Sequence, residues 1–175
     1  NNDKLCIIAQ KLKINFIRGP EDFPIRRIDS LHSRKIFNKY CFLVRICGDS
    51  PLYSFELAIK SLKFYKGLSA DFFCITNTRL KNFPSGMGIE IYSVEKLFKL
   101  LSNKPFLNKE EHMVKLLNES SVGKILDIKS DIVFKNVINS KLTIDTIQDY
   151  HNVLELMNNY MEIKIHNLLN KITFF

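Results

Sequence analysis

Cys41-Phe42-Leu43-Val44-Arg45-Ile46-Cys47, followed by Gly48-Asp49-Ser50-Pro51, is the stretch of sequence that decides the fold. Its first part is almost continuously apolar, which is typical of a central parallel strand that is covered on both faces. A helix-spaced apolar pattern follows over residues 52–65, and a second apolar strand follows over residues 71–75. Strands that alternate with helices predict a mainly parallel sheet in an α/β layer sandwich.

The remaining elements are predicted from the same periodicities and from the turn residues between them. Helices are expected at residues 5–12 and 25–38, from Val94, at 109–118, and from Thr146 toward Leu168. Further strands are expected at residues 14–17, 86–92 and 142–144, and the segment 119–139 has room for one or two short strands. Thr146 and Asp149 have the spacing of a capping box in which Asp replaces the usual Glu or Gln.

Composition and charge narrow the class of protein. The chain has 175 residues, enough for one domain, and its net charge is +8 from 26 basic and 18 acidic residues. The lysines are scattered rather than clustered with aromatic residues, so we expect an anionic partner such as a nucleotide and no nucleic acid. No apolar stretch reaches the length of a membrane span, so we expect no membrane partner. The four cysteines lie in apolar contexts without metal-ligand spacing, which indicates a reduced, cytoplasmic protein.

Asp49 and Asp145 are the main candidates for chemistry, because each ends an expected strand. In open α/β sheets, ligands bind outside the carboxyl ends of the strands. Carboxylates at that edge can hold Mg²⁺, which prefers a few hard oxygens together with substrate phosphates. Gly48 lets the backbone turn sharply and approach a ligand closely. The alternative for each aspartate is that it only caps a helix or favours a helix N-terminus.

Four other residues are weaker candidates for binding. Arg18 and Asn77 also follow expected strands, so they belong to the same edge of the sheet. Glu90 lies on an expected strand and either hydrogen-bonds a sugar hydroxyl or faces solvent beside a hairpin. His112 lies on the expected helix 109–118 and either reaches a ligand or a partner subunit, or is a polar residue of the helix surface.

Six blocks of the sequence, taken in order, resemble the spore-coat polysaccharide and acylneuraminate or KDO-type cytidylyltransferases: IRGPEDFP, FLVRICGDSPL, DFFCITNT, FPSGMGIEIYS, KEEHM and LTIDTIQDY. The resemblance covers the chain from Asn1 to Asn158. It implies a three-layer Rossmann-like nucleotidyltransferase fold, with residues 1–175 as a single nucleotide-sugar domain that is incomplete at its N-terminus. It also implies an enzyme in which a sugar hydroxyl attacks the α-phosphate of CTP. The products would be pyrophosphate and a CMP-sugar for cell-surface polysaccharide or glycan synthesis.

The resemblance also implies roles for individual residues. Asp49, in the GD-x-P block, and Asp145, in the ID-T block, would hold Mg²⁺ and act in catalysis. A pocket for the base and the sugar would be formed with the help of Arg18, Asn77 and Glu90. The substrates would be CTP and a sugar acid or related sugar. Relatives often dimerise through the segment that corresponds to residues 97–139, so a homodimer is expected.

The sequence departs from the family pattern in two places. Nothing in it matches the glycine- and arginine-containing loop that cradles the triphosphate, so a unit of ~30 or more residues is expected to precede Asn1. Without that loop, the chain alone should bind CTP poorly. Gly88 stands where many relatives have an Asp, which puts a sugar or metal contact at that position in doubt. The alternative function is therefore a catalytically inactive relative that acts as an oligomerisation or interaction module.

Overall fold

The computed structural model describes residues 3–21, 23–33, 41–68, 71–78, 83–103, 122–130, 141–160 and 172–174. The elements in these ranges are, in chain order, α1 (Asp3–Lys11), α2 (Pro24–Ser33), β1 (Phe42–Arg45), α3 (Phe55–Lys66), β2 (Phe72–Thr76), β3 (Glu90–Ser93), α4 (Val94–Asn103), β4 (Lys124–Ser130), α5 (Ile147–Tyr160) and β5 (Ile172–Phe174). Helices and strands alternate through most of the chain, as the periodicity predicts.

The strands form one sheet in the order β1-β3-β2-β4-β5. The pair β2–β4 is parallel, while β1–β3, β2–β3 and β4–β5 are antiparallel. The α/β fold is confirmed, but the described pairings are mixed rather than mainly parallel. The reason lies in the connection to β3, which has no crossover helix among its described residues and therefore returns the chain in the opposite direction. The strands β1, β2 and β4 still share one direction.

Helices cover both faces of the sheet, because alternate residues of a strand point to opposite sides. On one face, α2 and α4 pack against Phe73 and Tyr92 of the central strands, with Ile25 and Leu97 also fully buried. On the other face, α3 packs against the central strands through a second buried cluster that includes Leu57, Tyr65, Ile75, Ile91 and Leu126. The expected three-layer arrangement is confirmed.

The helix next to the decisive strand begins later than the sequence predicts. Residues 52–65 were expected to be helical, but α3 begins at Phe55. The hydroxyl of Ser54 accepts a hydrogen bond from the backbone N–H of Leu57 at 3.2 Å and caps the helix. A side-chain acceptor at this position satisfies one of the unpaired N–H groups of the first turn. The residues between Asp49 and Ser54 therefore form a connection and not a helical turn.

The capping box at the start of α5 is confirmed. The Thr146 hydroxyl accepts a hydrogen bond from the Asp149 backbone N–H at 3.2 Å, and the Asp149 carboxylate accepts one from the Thr146 N–H at 2.8 Å. The shorter Asp side chain thus performs the reciprocal contact usually made by Glu or Gln.

Two expected strands are wrong. Residues 14–17 pair with none of the described strands. The chain turns back on itself directly after α1, where Lys13 has a φ of 55° and the Ile14 N–H bonds to the carbonyl of Ala9. Residues 142–144 also form no strand, although Lys141 makes an isolated parallel bridge with Ser85.

The expected helix 109–118 lies outside the described residues. The segment 119–139, where one or two short strands were expected, contains all of β4 (Lys124–Ser130).

Gly86 fixes how closely two loops approach each other. Its φ is +92°, and a Cβ there would lie 2.8 Å from the main-chain carbon and oxygen of Leu142. The Leu142 N–H also donates a hydrogen bond to the carbonyl of Ser85 at 3.1 Å. A glycine is needed because other residues rarely adopt this φ and no space exists for a side chain.

We predict that Gly86→Ala lowers the free energy of unfolding by about 1–3 kcal/mol, because it adds both backbone strain and a steric clash with Leu142. Urea unfolding of the purified protein measures this change. Gly48→Ala is the matched control, since a Cβ at Gly48 meets no atom within 4 Å. The control should change stability by less than about 0.5 kcal/mol. Equal stability of the two variants would contradict this account of Gly86.

Candidate functional site

The structure brings the loops that contain Asp49 and Asp145 into direct contact. The backbone N–H of Ile144 donates a hydrogen bond to the backbone carbonyl of Asp49 at 2.8 Å. Asp49 follows β1, whereas Asp145 precedes α5, so two segments far apart in sequence meet at this point. In the same segment, the N–H of Leu142 bonds to the carbonyl of Ser85, so these N–H groups bond to loops and not to a strand.

Neither aspartate serves as a helix cap. Ser54 caps α3, and Thr146 caps α5 together with Asp149. The capping alternative is therefore wrong for Asp49. Asp145 lies directly before the cap Thr146, so the alternative that its charge favours the N-terminus of α5 stays open. Both residues are exposed, and the Asp145 side chain keeps 58% of its surface accessible.

Each of the two carboxylates has one oxygen held by a neighbouring side chain. Oδ1 of Asp49 accepts a hydrogen bond from the hydroxyl of the buried Ser50 at 3.0 Å. Oδ2 of Asp145 lies 2.8 Å from the ammonium nitrogen of Lys141 and 3.5 Å from the hydroxyl of Thr143. No described residue hydrogen-bonds to the second oxygen of either carboxylate. The site thus presents two open carboxylate oxygens on adjoining loops.

Lys141 lies between two carboxylates, because its ammonium nitrogen is also 2.7 Å from Oδ2 of Asp149. The same oxygen accepts backbone hydrogen bonds from Asp145 and Thr146. The hydrogen bond from Lys141 is the largest cause that lowers the pKa of Asp149 to about 2. Hydrogen bonds to Asp145 and Asp149 raise the pKa of Lys141. The two carboxylates of Asp145 and Asp149 and the one ammonium group therefore leave this cluster with negative charge.

The donor set of the cluster suits Mg²⁺. This ion is usually bound through one or two carboxylates, with water and substrate phosphates as its other ligands. Asp49 and Asp145 offer that number of hard oxygens in a solvent-accessible and negatively charged place. Within the described ranges, no group of three or more His, Cys, Asp or Glu residues is arranged to hold a metal. An ion at this place would thus keep positions open for water and phosphate.

Gly48 differs from its expected role. Its φ is not positive, and a Cβ added to it would meet nothing within 4 Å, so the backbone does not require a glycine for a sharp turn. What the structure shows is open space next to Asp49. That space allows a ligand to approach the backbone closely. The expected contact between Gly48 and a substrate stays a prediction.

Glu90 is buried, so the solvent-facing alternative is wrong. Its side chain is 4% exposed, and Nη1 of Arg45 lies 3.3 Å from both of its carboxylate oxygens. The Tyr92 hydroxyl donates a hydrogen bond to Oε2 at 2.8 Å. Burial, followed by the charge of Glu90, raises the pKa of Tyr92 well above its ordinary value. Both oxygens of Glu90 are thus used inside the sheet, where Arg45 and Glu90 are register partners on β1 and β3.

Asn77 uses its amide to join two parts of the sheet edge. Its Nδ2 donates to the carbonyl of Met87 at 2.9 Å, and its Oδ1 accepts from the N–H of Ile89 at 2.7 Å. The side chain is buried, and its own backbone N–H also bonds to Ile89. Asn77 therefore fixes the segment that leads into β3, and its contact with a substrate remains a prediction.

Arg18 is not joined to the two aspartates by any hydrogen bond or ion pair among the described residues. It is exposed and forms an ion pair with Asp3 of α1, whose hydrogen bond raises the pKa of Arg18. His112 lies outside the described residues.

One comparison with a solved structure bears on the fold. A solved structure of a cytidylyltransferase from Leptospira borgpetersenii matches with a TM-score of 0.78 and 26% identity, over 97% of this chain and 70% of that one. The chain has the fold of a cytidylyltransferase. This likeness supports the cytidylyltransferase family that the sequence blocks resemble.

The sequence comparisons add less. An uncharacterised protein of Methanocaldococcus jannaschii is 26% identical over 159 residues, which are 90% of this chain and 62% of that protein. This chain therefore spans less than two thirds of that relative. No family model matches the chain. In the part of the chain that the structure describes, none of the helices has the length and apolar character needed to cross a membrane.

Three residues near the candidate site were not predicted from the sequence: Arg45, Lys141 and Ser50. Arg45 carried a usable signal, because a single charge within an apolar strand is rarely buried without a partner. Lys141 stands four residues before Asp145, but this spacing is informative only in a helix, and the segment is a loop. Ser50 gave no signal that would separate it from an ordinary turn residue.

We predict that Glu90→Gln lowers the free energy of unfolding by about 1–3 kcal/mol, because it leaves the half-buried guanidinium of Arg45 without its counter-ion. Urea unfolding measures the loss. Glu56→Gln is the control, since the Glu56 carboxylate and its partner Lys60, 3.5 Å apart on α3, are both exposed. The control should change stability by less than about 0.5 kcal/mol. A loss in Glu90→Gln no larger than in the control would disprove a stabilising role for the buried pair.

Proposed function

We propose that this chain forms part of a Mg²⁺-dependent cytidylyltransferase of the spore-coat polysaccharide and acylneuraminate type. The observation that carries the proposal is the fold shared with a cytidylyltransferase over 97% of the chain. The six sequence blocks and the adjoining loops of Asp49 and Asp145 support it. The reaction would join CTP to a sugar acid or related sugar in the cytoplasm and release pyrophosphate.

The two aspartates would act by holding and orienting charge. Mg²⁺ bound by Asp49 and Asp145 would neutralise the triphosphate and the pyrophosphate that leaves. The backbone bond between Ile144 and Asp49 keeps the two carboxylates on adjoining loops before any substrate arrives. Preorganisation of this kind lowers the barrier, because the enzyme does not have to rearrange its charged groups during the reaction.

The other candidate residues take different places in this proposal. Gly48 leaves open space next to Asp49, where the nucleotide phosphates would lie. Asn77 and Glu90 shape the edge of the sheet from inside, and Arg18 and His112 would contact the substrates. The proposed homodimer would use residues 97–139, most of which lie outside the described part of the chain.

We predict that Asp49→Ala and Asp145→Ala each lower kcat/KM for CTP by at least about 100-fold in the full-length protein, because each removes one anionic ligand of the metal. Pyrophosphate release measures this, with CTP, UTP, ATP and GTP each tested against a panel of sugars that includes nonulosonic acids. Glu155→Gln is the control, since Glu155 is an exposed carboxylate on α5 with no place in the site.

The outcomes separate the two functions. Turnover that requires CTP and both aspartates supports the enzyme. Unimpaired turnover by both variants would disprove the proposed site. No turnover with any nucleotide or sugar would favour the inactive interaction module, for which Gly88 and the internal pairing of Glu90 are the supporting features.

A further inference from the structure

Lys141 occupies a central position beside the proposed metal site. Its ammonium nitrogen is 2.8 Å from Oδ2 of Asp145 and 2.7 Å from Oδ2 of Asp149. An ammonium group has three donors, so Lys141 can hold both carboxylates at once. Neither the sequence pattern nor the family resemblance gives this residue a role.

The backbone of Lys141 and the Asp149 carboxylate that its ammonium group contacts are both held in place by the fold. Its backbone forms a bridge with Ser85, and the next residue, Leu142, packs directly against Gly86. At the other end, Asp149 is held by its capping contact with Thr146 and cannot move without opening the first turn of α5. The ammonium group is therefore placed by the fold and not by a loose surface contact.

We infer that Lys141 is a positioning residue that holds Oδ2 of Asp145 so that Oδ1 stays open for a divalent cation. This rests on the proposed metal site of Asp49 and Asp145. Ligating carboxylates are commonly oriented by a hydrogen bond to their second oxygen, and loss of such a partner typically weakens metal binding about 10–100-fold. Ser50 holds Oδ1 of Asp49 in the equivalent way, so both ligands have the same design.

A second effect of Lys141 works against metal binding, because its positive charge repels a cation. Removal of that charge alone would strengthen binding. The Asp145 side chain is 58% exposed, however, so solvent and salt weaken this repulsion. Loss of Lys141 would also let the exposed side chain of Asp145 rotate among its rotamers. We therefore expect the loss of orientation to dominate.

The test is a titration of the full-length protein with Mn²⁺ alone, without nucleotide, in which electron paramagnetic resonance measures free Mn²⁺. Lys141→Met should bind Mn²⁺ at least about tenfold more weakly than the wild type. Lys141→Arg should stay close to the wild type, because it keeps the charge and the donors. Lys60→Met is the matched control, since Lys60 also pairs with a carboxylate four residues away but lies on α3.

The results distinguish this inference from the proposed function. Weaker Mn²⁺ binding by Lys141→Met, with binding by Lys141→Arg and Lys60→Met unchanged, supports the positioning role of Lys141. This holds even where the protein shows no turnover with CTP. Equal or tighter binding by Lys141→Met would overturn it and leave the catalytic proposal intact. If Asp49→Ala and Asp145→Ala lose Mn²⁺ binding while Lys141→Met keeps it, the positioning role of Lys141 is also overturned. If Lys141→Met does not fold, Lys141→Gln gives the same comparison, because one neutral amide cannot hold both carboxylates as an ammonium group does.

Discussion

The hydrogen bond from the backbone of Ile144 to the carbonyl of Asp49 is the interaction on which the arrangement of the site depends. It joins the loop after β1 to the segment before α5. That segment is fixed from its other side, where Ser85 bonds to Leu142 and Gly86 allows the two chains to touch. Because three loops share these contacts, a shift of any one of them would separate the two exposed carboxylates.

Charged groups near this edge of the sheet fall into two kinds. Arg45 and Glu90 are paired inside the sheet, where an unpaired charge would be costly. Asp49 and Asp145 lie outside, on loops, and each keeps an oxygen that no described residue contacts. The buried pair holds β1 against β3, so it supports the loop of Asp49 without offering a group for chemistry.

Much of the fold follows from sequence periodicity. The runs that became β2 and α4 are strongly patterned, and the Thr146–Asp149 box marks the start of α5. The run 41–47 contains β1, but among the described strands β1 lies at the edge of the sheet and is antiparallel to β3, so the prediction of a central parallel strand is wrong. The failures have physical causes. Apolar runs as short as 14–17 and 142–144 become strands only if a partner is available, and partners are set by the whole fold. The direction of β3 depended on the connection before it, whose Pro84, Gly86 and Gly88 are signals against a crossover helix that the prediction of a mainly parallel sheet did not use.

The two candidate carboxylates can be predicted from the sequence, but the groups that contact them cannot. Asp49 follows from the rule that ligands lie at strand ends, and Ser54 decided that Asp49 is not a cap. Asp145 was chosen by the same rule, although residues 142–144 form no strand. The role of Lys141 needed the three-dimensional structure, because it depends on the single oxygen Oδ2 of Asp149. That oxygen accepts hydrogen bonds from Lys141, from Asp145 and from Thr146. One atom therefore ties the start of a helix to the orientation of a proposed metal ligand.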